Sequence, residues 1–140
     1  MKLVFTLLIT FLSLTIISQS VIGKWRTIDD ETGKPKSIVE IYKKDGKVYG
    51  KILELINPSE PDPVCDKCED ERKDQKITGM EIIRGLEQDG DEWEDGTILD
   101  PKKGEVYDCK IWVDEDDPNK LQVRGYVLFF FRTQTWERVQ

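Results

Sequence analysis

The two ends of the chain body constrain its fold most. Gly23-Lys24-Trp25 opens the body and Arg132-Thr133-Gln134-Thr135-Trp136-Glu137-Arg138 closes it. An early Gly-x-Trp and a late arginine on a final strand fit a closed antiparallel barrel. Closure makes the first and last strands neighbours and lets a guanidinium lie over an indole face. Gly23, Trp25 and Arg138 are therefore the expected closure residues.

Period-2 patterns bounded by turn residues recur throughout, and no stretch after residue 20 keeps a helical apolar period for three turns. The sequence reads as all-β, with strands expected over 24–29, 37–43, 47–56, 76–86, 92–99, 105–113, 120–130 and 133–139. Asp30 to Gly33, Lys44-Asp45-Gly46, Asp89-Gly90, Asp100 to Gly104 and Asp116-Asp117-Pro118-Asn119 supply the turns. Eight short strands with tight turns suit an eight-stranded antiparallel up-and-down barrel, which leaves no open edge; a two-sheet sandwich is the alternative. Alternation points Val39, Ile41, Ile52, Met80, Ile82, Tyr107, Cys109, Ile111, Leu121, Val123 and Val127 inward. On the last strand an inward Trp136 brings Arg132, Gln134 and Arg138 to the same face, and Arg84 shares a face with Met80 and Ile82.

Lys2, the apolar run Leu3 to Ile17 and Ser18-Gln19-Ser20 have the charge, core and small-residue exit of a secretory signal peptide, with cleavage expected after Ser20. The apolar core falls short of the ~20 residues that span a bilayer, so no stable membrane insertion is expected after cleavage. Residues 21–140 then form a single domain, periplasmic or secreted. Loss of residues 1–20 removes one lysine and no acid, which moves the formal charge from −7 to −8. That balance argues against nucleic acid or an anionic membrane held through bulk charge.

Buried arginines are costly unless paired, so inward guanidinium groups imply either internal acceptors or an anionic ligand. Arg84, Arg132 and Gln134 are the expected polar anchors of such a ligand, with Trp25 and Trp136 as walls and Glu40 or Glu54 as possible internal acceptors. Cys65-Asp66-Lys67-Cys68 lies in a long connection, and in an exported protein this pair oxidises. So small a loop contributes about 2 kcal/mol at most, so the bond pins a loop rather than the fold. Pro63-Val64 gives no helix start, which removes the means of lowering a redox thiol's pKa. With no histidine and only Cys109 beyond that pair, a four-ligand zinc site has too few ligands. Cys109 reads as a small buried hydrophobe. No metal or cofactor is expected, and the lack of histidine removes the commonest general base. The expectation is a non-enzymatic protein.

Several segments together carry a resemblance: Gly23-Lys24-Trp25, Gly33-Lys34-Pro35, Gly46 to Ile52, Cys65-Asp66-Lys67-Cys68, Gly96 to Pro101, Leu121 to Tyr126 and Arg132 to Trp136. Over nearly all of residues 23–139 the sequence resembles the exported bacterial proteins grouped as domain of unknown function 2147. That resemblance implies a lipocalin-like, calycin-type barrel and supplies no activity. Phe131 stands where the family pattern leads one to expect a glycine before Arg132, which makes Val127 to Phe131 an unusually apolar segment. The expected function is binding of a small anionic or amphipathic molecule at the open end of the barrel. The rival is a cell-envelope interaction module with a filled barrel, using the 57–75 connection and Phe129-Phe130-Phe131 as contact surface.

Overall fold

The computed structural model describes Thr10 and residues 20–140, so the signal-peptide reading falls almost wholly outside the described residues. Eight strands follow one another: β1 (Gly23–Ile28), β2 (Pro35–Lys44), β3 (Lys47–Leu55), β4 (Glu81–Asp89), β5 (Glu92–Asp100), β6 (Glu105–Val113), β7 (Lys120–Val127) and β8 (Phe130–Arg138). Each pairs antiparallel with the next, and β8 returns to β1 to close a barrel rather than a sandwich. All eight lie within 23–138, so every strand of the barrel belongs to residues 21–140. Connections alternate between its two ends: β2–β3, β4–β5 and β6–β7 turn at one, while β1–β2, β3–β4, β5–β6 and β7–β8 turn at the other.

Side-chain size differs between those ends. Trp25, Ile41, Val48, Leu86, Ile111 and Leu121 are fully buried toward the first end, with Trp93 nearly so. Cross-strand rows tie them together, Val48 opposite Leu86, Trp93 opposite Ile111 and Leu121 opposite Trp136. Each contributes roughly 1.5–3 kcal/mol by leaving water. Toward the second end the interior sets the smaller Thr27, Ser37 and Gly125 among isoleucine and leucine side chains; the Thr27 and Ser37 hydroxyls are buried and share a 2.7 Å hydrogen bond. One half of the barrel is thus filled and the other is not.

The β1–β8 seam has two registered pairs, Trp25↔Arg138 and Arg26↔Glu137. Arg138 reinforces it. Its guanidinium lies 4.2 Å from the Trp25 ring centre, its Nε and Nη2 donate to the Pro118 carbonyl at 3.2 and 3.1 Å, and Nη2 also donates to the Ser20 carbonyl at 3.1 Å. Trp25 Nε1 donates to the Val21 carbonyl at 2.9 Å. Gly23 has φ +136°, a backbone angle that favours glycine, and it lies within van der Waals reach of Arg138 Nη1.

Strand boundaries differ from the sequence reading most at two places. The fourth strand begins at Glu81 rather than Lys76, because Lys76 bridges to Val64 and the chain then turns through Gly79 at φ +88°. The seventh ends at Val127 rather than Phe130, and the eighth begins at Phe130. The turn between them is Leu128-Phe129, two apolar residues that carry no turn signature and so read as strand. Val127 is correspondingly half-exposed at the rim, not inside.

The β3–β4 connection is ordered by its own contacts. Cys65 and Cys68 are disulfide-bonded and buried. Cys65 exchanges backbone hydrogen bonds with Gln75 and Asp74. Arg72, also buried, donates from Nη1 to the Glu81 carbonyl at 3.0 Å and grips Asp70 with Nε and Nη2 at 3.1 and 2.6 Å. Those hydrogen bonds hold the Asp70 carboxyl down at about 2.

Replacing Trp25 by Ala is expected to cost about 3–5 kcal/mol in urea unfolding, as a large-to-small change at a site with no exposed surface. A loss under about 1 kcal/mol would place the seam outside the cooperative core. Burial pushes the Cys109 thiol up to about 12. Iodoacetamide without reductant should therefore label no cysteine in the native protein and one, Cys109, after unfolding; two or three labelled cysteines would reject the Cys65–Cys68 bond.

Candidate functional site

The unfilled half of the barrel is a cavity of about 490 Å³ that opens between the β1–β2, β5–β6 and β7–β8 connections. A barrel packed solid with its own side chains is therefore not what forms. Ile52, Leu55, Ile82, Ile98, Leu99 and Val123 make the wall apolar. Thr27, Ser37, Gln134 and Trp136 add polar atoms.

β8 brings Arg132, Gln134 and Trp136 to the cavity from alternate positions, as its period-2 pattern dictates. Their donors converge on an acceptor that the sequence reading placed only in a turn. Asp30 Oδ2 takes Gln134 Nε2 at 2.8 Å and Arg132 Nη2 at 2.9 Å, and Gln134 Oε1 takes the Trp136 indole N–H at 3.1 Å. Asp30 and Gln134 are 104 residues apart in sequence, yet closure sets the β1–β2 turn beside β8. Glu40 is not that acceptor, since it pairs with Lys51 at 3.6 Å.

Arg84 does not reach the cavity. Ile82 and Ile83 are both buried, so the inward phase slips by one residue and carries Arg84 away from the interior. There Arg84 donates to Glu71 Oε1 at 2.5 Å and Glu81 Oε1 at 2.8 Å. Its hydrogen bond lowers the Glu71 carboxyl below its ordinary value. Glu81 also accepts the Tyr42 hydroxyl at 2.8 Å, and burial together with that contact pushes Tyr42 up to about 12. Trp25 is not a cavity wall either: it lies at the filled end beneath Arg138. Trp136 alone of the two expected tryptophans lines the cavity.

The rim carries cations that the sequence reading did not single out. Lys36, Lys67, Lys102 and Lys103 all border the opening, and none forms an ion pair with a carboxylate among the described residues. Three of the neighbouring acids are already engaged, while Glu31, also on the rim, has no side-chain partner among the described residues. Asp29 Oδ1 accepts the backbone N–H groups of Thr32 and Glu31, Asp100 Oδ1 accepts those of Lys102 and Lys103, and Asp30 is held by Arg132. The Asp29 carboxyl lies below its ordinary value through those backbone bonds, with Lys36 and Lys102 adding to the effect. Lys67 sits between the two bonded cysteines, and Gly104 of the β5–β6 turn packs against its backbone, so the disulfide turn fixes one sector of the rim. An opening with free ammonium groups above an apolar wall has the polarity to take an anionic head and an apolar body.

Comparison with solved structures gives a match to a protein described as "Protein HP1028 from the human pathogen Helicobacter pylori belongs to the lipocalin family". The two share 16% sequence identity over 86% of this chain and 84% of the other, with a TM-score of 0.73. At that identity the match establishes a lipocalin-like fold. No curated protein matches the chain. The family model DUF2147, described as "Uncharacterized protein conserved in bacteria", matches residues 23–138, the whole of the barrel, and the chain belongs to that family.

Proposed function

We propose that this protein is an exported, non-enzymatic carrier of a small anionic amphiphile, its apolar part in the barrel and its head among the rim lysines. One observation carries the reading: a cavity of about 490 Å³ joins an apolar wall to Lys36, Lys67, Lys102 and Lys103, none ion-paired among the described residues. That volume falls within the roughly 300–1,000 Å³ of small-molecule sites. Arg132 is a secondary anchor, since Asp30 already neutralises it. Arg84 has no part in binding.

The Cys65–Cys68 bond supports export to the periplasm or beyond, since such bonds persist in oxidising compartments. Two features of the cavity support the non-enzymatic reading. Asp30 is committed to Arg132 and Gln134, and the Thr27–Ser37 hydroxyl pair has no histidine to activate it.

Dodecanoate, titrated calorimetrically in vesicle-free buffer below its micelle concentration, is expected to bind one per barrel and more weakly as salt rises. Gly125→Leu is the blocking variant. Gly125 lines the cavity, and the nearest neighbours of a Cβ there, Tyr107 and Ile98, lie at ordinary contact distance, 3.6 Å and beyond, so a side chain can start from this position toward the cavity. Loss of dodecanoate binding with an unchanged melting temperature is expected, and undiminished binding would refute the cavity as the site. Asp30→Asn should strengthen binding severalfold by freeing the Arg132 charge, at a stability cost of about 1 kcal/mol or less for a rim-exposed pair. Weaker binding in that variant would mean that Asp30 holds the opening in shape rather than masking a cation.

A further inference from the structure

The most exposed apolar side chains of the described structure lie together at one place, the tip of the β7–β8 hairpin. Leu128 and Phe129 are 92% and 97% exposed, and Phe130 and Phe131 are 77% and 61% exposed. The β2–β3 turn, in contrast, uses Asp45-Gly46, with φ of 53° and 78°, and the β4–β5 turn uses Gly90, with φ of 61°. Those are the polar and glycine residues that such backbone angles favour. Leu128 holds φ +51° with a bulky side chain in solvent, a conformation and an exposure that both disfavour leucine in water. Nothing in the barrel's own packing requires Leu128 or Phe129, since neither lines the cavity nor enters the core.

We propose that this tip is a membrane anchor that enters the interfacial layer of a phospholipid bilayer and sets the cavity mouth against the lipid surface. Charge on the flanking elements complements the apolar tip. Arg124, on the hairpin's own first strand, packs its guanidinium 4.2 Å over the Phe131 ring and 4.9 Å over Trp112. Lys102 and Lys103, on the neighbouring β5–β6 turn, are exposed and unpaired among the described residues. Cations set beside an inserted aromatic tip reach lipid phosphates while their stems stay on apolar surface. The acidic β3–β4 connection lies across the mouth from β7–β8, because barrel order puts β1–β2 and β5–β6 between them. The molecule therefore docks on its β7–β8 side, with that acidic connection turned away. Bulk charge does not drive this contact; apolar insertion does. It requires no ligand in the cavity and stands apart from the carrier reading.

The test is vesicle flotation of the barrel, residues 21–140, with phosphatidylethanolamine–phosphatidylglycerol vesicles. The wild-type chain is expected to float with the lipid. Leu128→Gly combined with Phe129→Ser should lower the bound fraction at least tenfold, with a melting temperature no lower than wild type because glycine suits the positive φ. The same double variant should bind dodecanoate in vesicle-free buffer as the wild type does. A wild-type chain that stays with the aqueous phase, or a double variant that floats equally well, overturns the proposal. So does a concentration-dependent dimer abolished by the double variant, which would assign the tip to a second copy of the chain. Flotation without dodecanoate binding would leave the anchor standing and remove the carrier reading alone.

Discussion

The seam between β1 and β8 has two registered pairs, and every other property of the molecule depends on its holding. An eight-stranded sheet that failed to close would expose the backbone edges of β1 and β8 and lose the enclosed space between them. Trp25 and Arg138 compensate for the short ladder. The indole is wholly buried, and the guanidinium over it reaches the backbone at Ser20 and Pro118, outside the two strands it joins. Closure also sets the β1–β2 turn next to β8, which is how Asp30 comes to serve Arg132 and Gln134.

Local rules of alternation and turn chemistry made most of the barrel legible. Strand number, order and antiparallel pairing follow from period-2 patterns between glycine and aspartate turns. They failed where a residue's conformation is set by something those rules do not contain. Leu128 adopts a turn angle without being a turn residue, so the sequence pattern carries the seventh strand on to Phe130 and sets the break at Phe131-Arg132. Ile82 and Ile83 are both buried, and that one-residue slip of phase moved Arg84 from an expected cavity position to the outer wall. Arg72 was part of a charge run in the sequence, yet it is buried because Asp70 and the Glu81 carbonyl together satisfy its donors.

The candidate site was half legible for a related reason. Trp136, Gln134 and Arg132 follow from the inward phase of one strand, and all three line the cavity. The acceptor for their donors comes from the opposite end of the chain, which no local pattern reveals. The rim lysines were hidden differently. Whether a lysine is free depends on where the nearby carboxylates point, and Asp29 and Asp100 turn theirs toward backbone N–H groups of their own turns.

The unequal filling of the barrel divides every strand into two mechanical halves. At the Trp25 end, rows of large side chains lock neighbouring strands together, so amide hydrogens there exchange only when the whole molecule opens. At the cavity end the same strands have fewer side chains to separate, and local opening releases their amides at a lower free energy. The chain thus carries a stiff frame and a compliant aperture on one continuous set of strands, with no hinge or flexible linker between them. An occupant of the aperture would register first as slower amide exchange along its rim, while the frame beneath stayed unchanged.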